Sequence, residues 1–238
     1  ISCFSLWIYE ILVYKFPYQY IDVYAILGLS FFWLIFRIIS KLFPKLLNIS
    51  SYGQNSLCNF SLILATLGTF CLLFLLKNWP LSLQISYAYV FATIFWPFII
   101  LTMHNRILWI FFFITSMISI ISITNNFYPQ NWQAIANANL YWCYFLTICA
   151  VFFKYFPLYK LLIFFASPEV SDKISELNTK FTNDKLINYQ NSYIQTLIIK
   201  PIGTMTFFPF VFAIMVLLVS DFFKNPSICT ICAVMSMS

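Results

Sequence analysis

Residues 81–103 set the strongest constraint on this chain. From Leu81 to Met103 no residue is charged, and the run ends at His104 and Arg106. At about 1.5 Å of rise per residue, a helix of that length crosses a hydrocarbon core of about 30 Å. Its first turns carry Ser82, Gln84, Ser86, Tyr87 and Tyr89. Lipid offers such groups no partners, so they are expected to face protein or water.

The composition extends this reading to the whole chain. Hydrophobic residues make up 62% and charged residues 8%, against about 25% charged in soluble domains. A soluble fold could not hide that much apolar surface, so a bilayer is its solvent. The fold class that follows is all-α: a polytopic transmembrane helix bundle of about six spans, plus an N-terminal interfacial helix.

Residues 1–20 read as the interfacial segment, since 4–16 are too short to span and Pro17 closes them. A five-span bundle is expected over 21–166, with spans at 21–43, 56–76, 81–103, 107–124 and 139–166. The last of these is interrupted at Lys154, Pro157 and Lys160, so the span should stop near Phe153 and 157–166 should turn along the surface. Ala65, Gly68 and Thr69 in the second span offer a close helix contact. Residues 125–138 read as an uncharged interfacial loop or short helix. Residues 167–200 are the only soluble-looking stretch. Ser167-Pro168-Glu169 is a helix start with proline at the first position, and Glu176 and Lys180 form an i,i+4 pair of opposite sign. The sixth span and a short tail occupy 201–238, with Pro209 as a kink.

Basic residues orient the bundle. The 37–45 connection, Arg106 and the 154–200 stretch fall on one side if six spans alternate, and the other side keeps Lys77 and Lys224. Arg37 and Lys41, in the last turns of the first span, are expected to snorkel outward. The net charge of +6 therefore reads as topology and phospholipid headgroup contact, cardiolipin included. It does not point to nucleic acid, for which no soluble basic groove is apparent.

Few residues carry chemistry. His104 is the single histidine, and at a helix end it reads as an interfacial residue rather than a metal or haem ligand. Asp221 is the candidate membrane acid for a proton path, set against a headgroup-level reading because it lies close to the end of its span. Cys229 and Cys232 form a lone CxxC, too few ligands for a zinc site, and the other cysteines read as small hydrophobes. No Ser/His/Asp set, phosphate loop or paired intramembrane carboxylates occur, so no catalytic, cofactor-binding or metal residue is assigned. Gln84, Tyr87 and Tyr89 are the candidate polar path. Gln84 and Tyr87 share a helix face. Tyr89 joins them only at a local bulge, and Pro97 adds a second disturbance.

Two resemblances bear on function. Phe, Ile, Tyr, Asn and Lys abound while glycine numbers 4, and the first residue is Ile1, read as a missing N-terminus or a non-Met start. No Arg- and Ser-rich presequence is evident, which fits local synthesis or a shortened chain equally. These features resemble the hydrophobic proteins encoded in AT-rich protist mitochondrial genomes, the ciliate kind in particular. Within 83–105, Gln84, Tyr89-Val90, Ala92, Phe98 and Met103 resemble the third transmembrane helix of subunit 6 of NADH:ubiquinone oxidoreductase. Phe91 stands where that family has a glycine, and Tyr89 is one residue out of step with Gln84. The resemblance implies a cofactor-free membrane subunit of the mitochondrial inner membrane, with the basic side facing the matrix and other subunits of a large respiratory complex as partners. It would support proton translocation coupled to quinone reduction. The alternatives are a structural subunit of cytochrome c oxidase or of the ATP synthase membrane sector and, in a different class, a small-molecule or ion transporter.

Overall fold

A computed structural model describes residues 21–45, 47–155, 159–180 and 190–219. The expected interfacial helix at 1–20, Asp221 and the CxxC pair lie outside the described residues. The described chain is helical, and no strand occurs among these residues. Helices α1 (Ile21–Leu42), α2 (Ser51–Leu75), α3 (Leu83–Met103), α4 (Trp109–Phe127) and α5 (Trp132–Tyr155) are followed by the short α6 (Tyr159–Phe165) and the polar α7 (Pro168–Lys180). A π-helical segment, Gln195–Ile199, then leads into α8 (Lys200–Val219). Six stretches are long and apolar enough to cross a membrane: Val23–Leu42, Ser51–Leu75, Leu83–Met103, Arg106–Phe127, Trp132–Tyr155 and Gln190–Val216. The protein is a multi-pass transmembrane helix bundle.

Short polar side chains set the helix starts. The Ser50 hydroxyl accepts from the Gly53 amide, and the Ser82 hydroxyl accepts from the Ile85 amide, so each satisfies one orphan donor of its first turn. Asn131 does the same for the Ala134 amide at the start of α5. Ser167 caps α7 in the same way, with Pro168 at the first helical position. On α7 the ion pair joins Lys173 and Glu169 at 2.7 Å. The expected partner of Glu176, Lys180, has a side chain outside the described residues.

Small residues bring the spans together. Ser30 and Ser61 exchange hydroxyl-to-carbonyl bonds of 2.6 and 2.8 Å across α1 and α2. A Cβ on Gly68 would lie 2.7 Å from Leu27 Cδ2, so this glycine admits α1 as closely as the sequence suggests. On α4, Thr115, Ser116, Ser119 and Ser122 are buried, and each returns its hydroxyl to a carbonyl of its own helix. Small, internally satisfied residues allow α4 to approach α3, against which it packs extensively. Helix α5 packs chiefly on α8, through Ala136, Leu140 and Ala213.

Helix α3 lies at the centre, with 61% of its apolar window buried, the largest share of the six. Trp96 is fully buried, stacks on Phe111 at 4.6 Å, and donates from Nε1 to Thr69 Oγ1 at 3.1 Å.

Two boundaries differ from the sequence reading. The last membrane helix starts at Gln190, not near residue 202. Gln190, Asn191 and Gln195 look like loop residues, but they form the helix end at the polar face of the bundle. At the opposite end, α5 begins at Trp132 and not at 139, so much of the stretch read as a loop or short helix over 125–138 belongs to the span helix itself.

Candidate functional site

The best-built polar cluster lies where the basic ends of the helices converge. The short helix α6 ends at Phe165 with its last carbonyls unpaired by helix bonding. Side chains from α1 take them. Arg37 Nη1 donates to the Phe165 carbonyl at 2.6 Å, and Arg37 Nη2 donates to the Ala166 carbonyl. Lys41 Nζ, one turn along α1, donates to the Phe164 carbonyl at 2.7 Å and to that of Ile163 at 3.3 Å. Two cations thus cap one helix C-terminus, whose partial negative charge attracts them. The Ser167 amide then donates to the Thr102 carbonyl at 2.9 Å, which ties the α6–α7 junction to the end of α3.

This corrects the expectation that Arg37 snorkels outward. Arg37 is 1% exposed. A guanidinium can turn inward at a membrane helix end when fixed carbonyl dipoles replace its water. Its Nε is buried with no hydrogen-bond partner among the described residues.

His104 completes the cluster. It stops α3 in the left-handed conformation, φ 50°, a region where His is enriched over most non-glycine residues. Its Nε2 lies 3.1 Å from the Leu162 carbonyl and its Nδ1 lies 2.6 Å from the Tyr193 hydroxyl. A carbonyl only accepts, so the proton sits on Nε2 and the neutral ring accepts from Tyr193 at Nδ1. Burial pushes the His104 imidazole below its ordinary range, and its bond to Leu162 opposes that shift. The ring therefore joins α6 to the helix that carries the π segment. An open cavity of about 580 Å³ lies beside it, lined by His104, Asn105, Arg106, Tyr193, Thr196 and Leu197. The sequence marks His104 and Arg37 by type and place. Nothing in it signals that α6 folds back between them.

The three residues assigned to a polar path do not converge. Helix α3 is α-helical throughout Leu83–Met103, so the bulge that Tyr89 would need to join Gln84 and Tyr87 is absent and the regular helix, the alternative to it, is what forms. Gln84 is exposed and Tyr87 is 48% exposed, whereas Tyr89 is fully buried. The reason lies in α2. Its last turn tightens, so the Leu76 amide bonds to Leu73 and leaves the Leu72 carbonyl to be satisfied. The Tyr89 hydroxyl donates to that carbonyl at 2.7 Å. A regular helix then turns Gln84 and Tyr87 away. The π segment occurs instead at Gln195–Ile199, where the Lys200 amide bonds to the Gln195 carbonyl. Trp109 Nε1 donates at 2.8 Å to the Leu197 carbonyl within it.

Compared with protein-family models, with curated proteins and with solved structures, the chain matches none.

Proposed function

We propose that this chain is a cofactor-free membrane subunit of a mitochondrial inner-membrane respiratory complex. The first candidate is the membrane arm of NADH:ubiquinone oxidoreductase, in a position like that of its subunit 6. There it would support proton translocation coupled to quinone reduction without performing the redox chemistry. Other subunits and phospholipids, cardiolipin among them at the basic matrix side, are its partners in this reading.

The observation that carries the reading is the incomplete cover of α3. This is the most buried span, yet Leu83, Tyr87, Ile94 and Phe98 stay exposed along it. They recur at helical spacing, so they form one stripe. Exposed apolar residues alone are ordinary in lipid. Gln84 and Tyr87 add exposed polar atoms at the start of the same helix, which a neighbouring subunit can pair. A neighbouring subunit supplies both apolar contact and hydrogen bonds. The composition bias and the resemblance of 83–105 to the third helix of subunit 6 support this choice of complex.

The test is cross-linking of native membranes with a lipid-soluble photoreactive reagent, followed by mass spectrometry. Peptides spanning 81–98 should be joined to subunits of the NADH-oxidising complex. Joining to cytochrome c oxidase or ATP synthase subunits would move the chain to that complex. Lipid adducts alone along the stripe would contradict the subunit reading.

A further inference from the structure

We propose that the cavity between the end of α3 and the π segment binds a phosphate group, presented at the membrane surface by an anionic lipid headgroup. Arg106 is exposed at this cavity, and among the described residues no carboxylate pairs with it. The nearest turn adds the Asn105 side-chain amide, whose NH2 can donate to a phosphate oxygen, while the hydroxyls of Tyr193 and Thr196 line the cavity with their hydrogens already given to His104 and to the carbonyls of Ser192 and Tyr193. Among the described residues, no acidic side chain lines the cavity. The ring of His104 is bonded on both sides and forms one wall of the cavity.

A second cation follows on the helix that carries Thr196, outside the cavity lining. Lys200 is exposed and lies one turn beyond Thr196 on the same helix. Helical side chains lean toward the N-terminus of their helix, so its stem runs back toward Thr196 and the surface. Arginine offers a planar fork that matches phosphate oxygens, and lysine a mobile point charge.

The flanks suit acyl chains. Ile107 and Ile110, 63% and 54% exposed, follow Arg106 into the membrane on one helix face. Trp109 anchors the same turn through its bond to Leu197. A headgroup at Arg106 thus has apolar surface directly beneath it. Basic pockets between membrane helices bind anionic headgroups by this arrangement.

The inference rests on the lipid contact included in the proposed function, but it requires only the isolated chain in a bilayer. The full-length chain is reconstituted in phosphatidylcholine nanodiscs with and without phosphatidylglycerol, and thermal unfolding is followed. Phosphatidylglycerol should raise the midpoint of the native chain. Arg106→Gln should weaken the titration about fivefold, Arg106→Lys should restore most of it, and Lys77→Gln at the opposite end should leave it unchanged. Asn105→Ala, which removes the amide donor beside Arg106, should weaken it further. Inorganic phosphate added to phosphatidylcholine discs identifies the source: stabilisation by the free ion as well assigns the site to phosphate in general. An identical phosphatidylglycerol titration for the native chain and for the Arg106→Gln, Lys200→Gln double variant overturns the proposal. A chain that binds lipid here yet joins no complex would refute the proposed function and leave this site intact.

Discussion

Replacing Arg37 by Met removes the clamp on α6 while keeping side-chain length. The guanidinium makes two charge-assisted bonds, to the carbonyls of Phe165 and Ala166. Each is worth about 1.5–3 kcal/mol. Against that stand the buried, unpartnered Nε, at about 1–3 kcal/mol, and the desolvation of the cation. Methionine relieves both costs but orphans the two carbonyls. The balance is a destabilisation of about 2–4 kcal/mol. Arg37→Lys should fall between, because one ammonium cannot span both carbonyls. Reversible unfolding in detergent measures the change. Amide exchange at Ala166 and Ser167, whose amides bond to Leu162 and Thr102, locates it. A Met variant within about 0.5 kcal/mol of the parent (the range of a bland surface change), with exchange at 166–167 unaltered, would refute the argument.

Three further outcomes are expected. Gly68→Val should destabilise by about 1–3 kcal/mol, because even a Cβ there meets Leu27 at 2.7 and 2.9 Å; Leu27→Ala in the same chain should recover part of the loss, read by unfolding of both variants. A double-mutant cycle on Thr69→Val and Trp96→Phe should give a coupling of about 0.6 kcal/mol, the average for hydrogen bonds between membrane helices, and a coupling of zero would deny the bond. Acid should loosen the His104 junction. Burial depresses the folded-state pKa, so the stabilising contribution is complete above the unfolded value of about 6.5 and is lost as pH falls through the lower folded value; His104→Gln should flatten that part of the stability profile, measured by unfolding between neutral and acid pH.

The spans were legible in the sequence because charge-free length is enough to define them, and Pro44, Lys77 and Arg106 mark where they stop. The close contact at Gly68 was legible for the same local reason. The clamp was not. Arg37 and Lys41 sit in a last turn where outward snorkelling and inward capping look identical in sequence. The choice depends on α6, more than a hundred residues later, folding back to present its carbonyls. Gln84, Tyr87 and Tyr89 show the opposite case. Polar type groups them in the sequence, whereas a regular helix divides them between an outer surface and one orphan carbonyl of α2. The π segment at Gln195–Ile199 carries no glycine or proline, so nothing local announced it.

Native electrophoresis of mildly solubilised mitochondrial membranes, probed for this chain and stained in the gel for NADH oxidation and for cytochrome c oxidation, tests the proposed assembly most directly. The 28.0 kDa chain should run in a far larger particle that coincides with the NADH-oxidising band. A stable species near its own mass, separate from both stained bands, would contradict it.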